Sequence, residues 1–486
     1  MKAVFCMAVA VLGAAPLGAQ TPRDVVARAV AAMGGEAALR GVTSLSVDFY
    51  TATFNLGQEE TPQSQARANF AIGQNLTDYG AGRQTGTVEL RNPAGVVNRL
   101  RRVVAGGIGM LETNGRQAPE NPGTVSNIEG GLRRALERVL IAALDAPAAL
   151  RALPARSWRG ELHDGVRYAN GPDTLDLYFD RRTALPVVTE TVSDDPILGD
   201  RRTASWFTRW QASGAVLYPR QYDVEVNGRL QTHSVFTAVT INPVIAESLF
   251  AIPDSIAGRA QRSGSPPTPI GVTLVELAPG IWRAEGGTHH SLVVDQGTRL
   301  VVVEGPQSSV RIRAVLDTLR SRFPGKAVGL LVSTHHHWDH SGGLRGALAA
   351  GVPVVTHARN AAFVRGIAAA RKTVKPDELD RRLGAARVRP PAITAVEDSM
   401  VLGTGDQRVV IYRLPTAHVE GMLAAYVPAA RLLFVSDVLS PGATLAPVGS
   451  REVVALAKAR GIAVDRVAGG HGGVANWADV ERAANP

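Results

Sequence analysis

The sequence predicts a mixed α+β protein in two parts: a curved antiparallel β domain over residues 20–257 and a C-terminal unit of strands and helices over residues 271–486. Three observations carry this. Between Leu45 and Thr240, short runs alternate apolar and polar residues, the period of strands with one buried face. The stretch GRAQRSGSPPTP, Gly258 to Pro269, has no apolar periodicity and is dense in Gly, Ser and Pro, which sets a linker at 258–270. Beyond it, apolar strands alternate with helical stretches, the rhythm of an α/β unit.

Composition excludes several classes. With 486 residues, 45% hydrophobic and 20% charged, the chain is neither disordered, collagen-like nor a multi-span membrane protein. The net charge of +9 is carried almost wholly by arginine, and the basic residues are scattered with no run longer than a pair such as Arg133-Arg134, so no nucleic-acid partner is expected.

At the N-terminus, Lys2, the apolar run Ala3 to Ala15 and the small-residue exit Leu17-Gly18-Ala19 predict a signal peptide over residues 1–19. Its removal leaves no integral membrane span and implies a periplasmic or secreted protein. The single cysteine, Cys6, lies inside it, so a metal site in the mature chain must be built from His, Asp and Glu. Thr21-Pro22-Arg23-Asp24 opens a helix that Gly34-Gly35 ends. Strands are then expected at Leu45–Phe54, Thr174–Phe179, Pro186–Val192, Tyr222–Val226 and His233–Thr240, with turns at Gly199-Asp200 and Asn227-Gly228. One helix, Leu132 to Leu153, is expected to lay the stripe Leu136, Val139, Leu140, Ala143 and Leu144 across the concave face of the sheet.

After the linker, strands are expected at Val272–Leu277, Ile281–Ala284, Ser291–Val294, Leu300–Val303, Val328–Val332 and Val352–Val355, with helices at Val310–Phe323 and Ser341–Ala350. Of the 11 histidines, nine lie in this part, and four fall within His335-His336-His337-Trp338-Asp339-His340. That H-x-H-x-D-H pattern directly follows an apolar strand. While the chain is extended, His335 and His337 point to one side, and as it turns into a helix Asp339 and His340 face a second point nearby. Three more candidate ligands stand just beyond strand ends: His418 after Val409–Leu414, Asp437 after Arg431–Val435, and His471 after Val464–Val467. His289-His290 reads mainly as a hairpin cap, with the mouth of the site as the alternative, and His357 as structural. The helix-rich stretch Asn360 to Arg389, divided by Pro376, is the candidate wall over the metals.

These motifs, spread over Val272 to Val474, resemble the metallo-β-lactamase superfamily, and THHHWDHSGG is similar to the corresponding motif of glyoxalase II. The resemblance implies an αββα sandwich with metals at one edge. It implies that His335, His337 and His418 bind a first metal, that Asp339, His340 and His471 bind a second, and that Asp437 bridges the two. Asp437 stands where dizinc β-lactamases usually carry Cys or Ser, which is similar to the broader hydrolase side of the superfamily. Only Gly472 to Pro486 follow the last ligand, so glutathione thioesters are not expected as substrates. Glu304, in VVVEGP, replaces a more usual Asp and implies a different support for the ligands. In the first part, DTLDLYFDRRTALPV and NPVIAESLFAIP resemble the LolA-like lipoprotein-carrier half-barrels.

The expected function is therefore an exported hydrolase that cleaves an ester, lactone, thioester or amide carbonyl of a small-molecule substrate by a hydroxide bridging two Zn²⁺, with Asp339 orienting it and able to accept its proton. One alternative is a mononuclear iron enzyme like the persulfide dioxygenases, using His335, His418 and Asp437. Another is a carrier module that offers a lipid-like ligand to a hydrolase domain.

Overall fold

A computed structural model describes residues 20–263, 271–386, 391–442 and 444–485. The leader expected at 1–19, including Cys6, and the linker residues 264–270 lie outside the described residues. Among the described residues no helix is long and apolar enough to cross a membrane.

The N-terminal part is a thirteen-stranded sheet, antiparallel at every pairing. It consists of two meanders, one from Ser44 to Pro119 and one from Leu150 to Ile241, zipped together where Ser44–Phe54 pairs with Arg229–Ile241. Tight turns make meanders: Asn227-Gly228 carries φ of +47° and +80°, the left-handed pair that suits a two-residue hairpin. The expected strands are present with longer limits, as in Gly199–Ser213 and Val216–Val226. Five strands between Ala68 and Pro119 carry no strong alternation because most of their residues are only half-buried, so their sequence signal is faint.

The expected helix at 132–153 needs correction. Two helices, Pro122–Arg134 and Leu136–Asp145, meet at Ala135, which is extended, and Leu150–Trp158 is a strand. Pro147 stops the helix, and pairing with Glu161–Asn170 overrides the helical preference of Leu150 to Leu153. The stripe itself is buried at Leu136, Val139, Leu140 and Ala143, against Tyr168, Leu175 and Phe179 of the sheet and Val26 and Ala29 of the first helix, Pro22–Ala32. Residues 258–263, read above as linker, continue a helix that begins at Asp254, whose Ile256 packs on Val103 and Met110.

The C-terminal part holds a seven-stranded and a six-stranded sheet. In the first, Arg299–Val303, Ala327–Ser333, Val354–His357 and Ile393–Val396 run parallel, which aligns their C-terminal ends on one edge. One apolar cluster joins the two sheets, with Val294, Val303 and Val332 from one and Ile411, Leu423 and Phe434 from the other. Helices pack on the opposite faces: Ser309–Arg322, Leu344–Ala349 and Ala358–Ala369 on the first sheet, Pro447–Arg460 and Trp477–Ala484 on the second. The helix expected at 341–350 begins earlier, at Trp338, and is split into Trp338–Ser341 and Leu344–Ala349.

Of the expected wall 360–389, residues 387–389 lie outside the described residues; the rest holds the helices Ala358–Ala369 and Glu378–Ala386, whose apolar side is spent on the core. Val364, Ile367 and Leu379 are buried there, and the buried Arg345 guanidinium holds Asp377 and Asp380. The intervening residues are clasped by the N-terminal part instead: Asp200 accepts from the backbone N–H of Thr373 at 2.7 Å and of Val374 at 3.1 Å, and Lys372 pairs with Asp194.

Candidate metal centre

Each of the seven candidate ligands leaves a strand end on the same edge. His335 and His337 follow Ala327–Ser333, Asp339 and His340 sit on the turn Trp338–Ser341, His418 follows Val409–Arg413, Asp437 follows Leu432–Phe434, and His471 follows Arg466–Ala468. Extended strands deliver these groups to one place even though 136 residues separate the first from the last. The structure gathers all seven, together with His289, into two groups with spacing suited to a metal ion: His335, His337, His418 and Asp437 in one, and His289, Asp339, His340 and His471 in the other.

Asp437 stands between the groups. Its Oδ2 lies 3.3 Å from His418 Nε2 and 3.7 Å from His335 Nε2, while its Oδ1 lies 2.8 Å from His340 Nε2 and 3.1 Å from His471 Nε2. The opposite ring nitrogens are engaged elsewhere. His335 Nδ1 meets Thr334 Oγ1 at 3.0 Å, His340 Nδ1 donates to Glu304 Oε2 at 3.0 Å, His471 Nδ1 donates to the Thr288 carbonyl at 2.9 Å, and His337 Nε2 donates to the Glu59 carbonyl at 3.0 Å. Each of these rings thus turns its other nitrogen inward.

The inward atoms fit a cation. His335 Nε2, His337 Nδ1 and His418 Nε2 are buried, and none of them makes a well-aligned hydrogen bond. Unpartnered buried polar atoms cost about 1–3 kcal/mol each, and three converging beside the Asp437 carboxylate suit a shared positive charge. Nitrogen and carboxylate donors without thiolate suit zinc or another first-row divalent ion.

The electrostatics agree. Burial pushes the pKa of His335 well below the usual histidine value and that of His337 down to about 4, keeping both rings neutral and able to donate lone pairs. Burial alone would raise the carboxyl of Asp437, but contacts with His335, His340, His418 and His471 outweigh it and hold the group ionised. For Asp339 burial likewise raises the pKa, and the contacts from His289, His340 and Gln58 lower it far more. Burial disfavours charge on His340, yet Glu304 and Asp437 raise its pKa well above the ordinary range.

Two residues outside the seven candidate ligands also meet the site. His289, taken above chiefly as a hairpin cap, places Nε2 3.2 Å from Asp339 Oδ2, with Thr288 Oγ1 2.8 Å from its Nδ1. The doublet after the turn GGT was its only signal. Glu304 is fully buried, and besides His340 it binds Thr334 Oγ1 at 2.7 Å and Ser436 Oγ. His290 is buried, with its backbone N–H on the Gly470 carbonyl, and His357 donates to the Glu397 carbonyl.

Residues 284–479 match the family model of the metallo-beta-lactamase superfamily. Among solved structures, a metallo-beta-lactamase from Pontibacter korlensis is similar at 17% identity, covering 44% of this chain and 100% of that one with a TM-score of 0.34. The DIM-1 metallo-beta-lactamase is similar at 14% identity, covering 44% of this chain and 94% of its own, with a TM-score of 0.32. A comparison with curated proteins gives no match.

Proposed function

We propose, from the premise that residues 284–479 belong to the metallo-β-lactamase superfamily, that this chain is an exported hydrolase that uses two zinc ions to cleave an ester, lactone, thioester or amide carbonyl. The observation that carries the reading is the placement of Asp437, whose two oxygens face two different histidine groups. A mononuclear iron reading built on His335, His418 and Asp437 leaves the gathering of Asp339, His340 and His471 without a purpose.

In this reading His335, His337 and His418 would hold one ion and Asp339, His340 and His471 the other, with Asp437 able to serve both. The ions, when bound, supply Lewis acidity and a water ionised near neutral pH. The chain's own residues do the rest. Glu304 fixes the His340 ring with Nε2 inward by accepting from Nδ1. Asp339, held ionised, orients the attacking water through a lone pair, and His289 beside its Oδ2 can pass a proton onward.

The two C-terminal sheets with their outer helices are read as an αββα sandwich, and the N-terminal sheet as a half-barrel. The N-terminal part contains a cavity of about 570 Å³ floored by Leu45, Val47, Phe49 and Phe207 and covered by Ile128 and Leu132. Its apolar floor suits a lipid-like ligand delivered to, or docked beside, the hydrolase. Export rests on the leader pattern at 1–19.

Elemental analysis of the purified protein, alongside lactone, ester, thioester and nitrocefin assays, tests the reading. Two zinc ions per chain with carbonyl hydrolysis is the expected result. One iron with oxygen uptake would replace it with the dioxygenase.

A further inference from the structure

The loop joining Ser44–Phe54 to Ala68–Asp78 belongs to the N-terminal sheet, yet its tip makes four successive contacts with the candidate metal centre. The Gly57 carbonyl accepts from the backbone N–H of Trp338 at 3.2 Å. The Gln58 side-chain amide donates to Asp339 Oδ1 at 2.8 Å. The Glu59 carbonyl accepts from His337 Nε2 at 3.0 Å, and the Glu60 carbonyl from the backbone N–H of Glu420 at 2.9 Å.

The tip is built for this position. Gly57 has φ of +85°, and a Cβ there would stand 2.2 Å from the Trp338 indole, so only glycine lets the two backbones meet. Asn55 is tied to the Arg67 carbonyl in the loop and accepts from Asn69 of the strand that follows. The Glu59 carboxylate is buried and turned onto Arg229, so its charge is spent inside its own domain and only its carbonyl faces the site.

We infer that Gly57–Glu60 is a working part of the metal centre, with the Glu59 carbonyl and the Gln58 amide as positioning groups supplied by the other domain. This rests on the metal reading above. A carbonyl can only accept, so Glu59 fixes the His337 proton on Nε2 and leaves Nδ1, which is buried and unpartnered, as a lone pair for a metal. Gln58, by holding Oδ1, fixes the carboxylate of Asp339 with Oδ2 turned toward His289 and His340. The catalytic half therefore carries its ligands but not the whole set of groups that orient them.

The test uses the full chain with zinc alone and a competing chelator of known affinity, comparing wild type, Gln58→Ala and Gly57→Val. Gln58 is exposed, so its truncation leaves the fold intact, whereas Gly57→Val lifts the whole tip and is checked by far-ultraviolet circular dichroism. Both variants are expected to release zinc about ten- to a hundredfold more readily, Gln58→Ala from one of the two sites and Gly57→Val from both. The visible spectrum of the cobalt-substituted protein should change in parallel, because it reports ligand geometry. Wild-type retention and an unchanged spectrum in both variants would overturn the inference alone. A wild type that holds no metal would overturn it together with the function proposed above.

Discussion

The carboxylate of Glu304 and the imidazole of His340 form a fully buried pair, Oε2 to Nδ1 at 3.0 Å, and the ring's other nitrogen stands 2.8 Å from Asp437. The residue that follows Arg299–Val303 thereby sets which way the His340 ring faces. Gly470 is packed so closely behind the pair that a Cβ there would meet Glu304 Oε2 at 2.9 Å.

Replacing Glu304 by Gln keeps the shape and removes the charge. The variant is expected to fold but to hold the second zinc about ten- to a hundredfold more weakly, as measured by chelator competition. Glu304→Ala additionally strands the hydroxyls of Thr334 and Ser436, and unfolding in urea should show a loss of about 1–3 kcal/mol beyond that of the Gln variant.

Asp437→Ala and Asp339→Asn should each abolish turnover with the fold retained. Their metal contents should differ: loss of Asp437 weakens both ions, loss of Asp339 only one. Elemental analysis and circular dichroism on the same samples check this, and full activity in both variants would remove the proposed mechanism.

The N-terminal domain contains a separate, pH-dependent liability. Glu137 is buried beside Tyr79, whose hydroxyl donates to Oε1 at 2.5 Å, and its Oε2 has no hydrogen-bond partner. Burial raises its pKa above the ordinary carboxylate value. The folded state therefore binds the proton more tightly than the unfolded state, so stability from this group is complete below the unfolded pKa of about 4.3 and is lost as pH rises through the higher folded value. Glu137→Gln should gain melting temperature relative to wild type as pH is raised from 4 to 7. A gap independent of pH would contradict this.

The two parts are also clasped at Asp200, which accepts from Thr373 and Val374. Asp200→Ala should lower the stability of this docking by about 1 kcal/mol and expose residues 371–374 to limited proteolysis, with the individual domains still folded.

The seven candidate ligands could be picked out in the sequence because each is a His or Asp placed past an apolar strand, and strand ends converge in an open sheet. Glu304 was noticed as a substitution in a strand-end position, but its burial follows from the packing of Thr334, Ser436 and Gly470, which no local pattern encodes. Gln58 lies 281 residues from the aspartate it holds and has only a glycine and two glutamates around it, so no spacing rule could find it. In the N-terminal sheet, strands with a clean buried face, such as Asp173–Asp180, were legible, while Ala68–Asp78 and Val97–Ala105 were not because they leave most side chains half in solvent.

The seam of the N-terminal sheet carries a further consequence. The loop that reaches Asp339 hangs from Ser44–Phe54, and that strand is held by its pairing with Arg229–Ile241, with Leu45 opposite Ile241. Arg229, which grips Glu59, is the first residue of the same late strand. A chain with this seam open leaves the tip unanchored, and with it the Glu59 carbonyl and the Gln58 amide that meet His337 and Asp339. The geometry at these two candidate ligands is thus tied to pairing with a strand that begins 170 residues after Glu59 in the sequence.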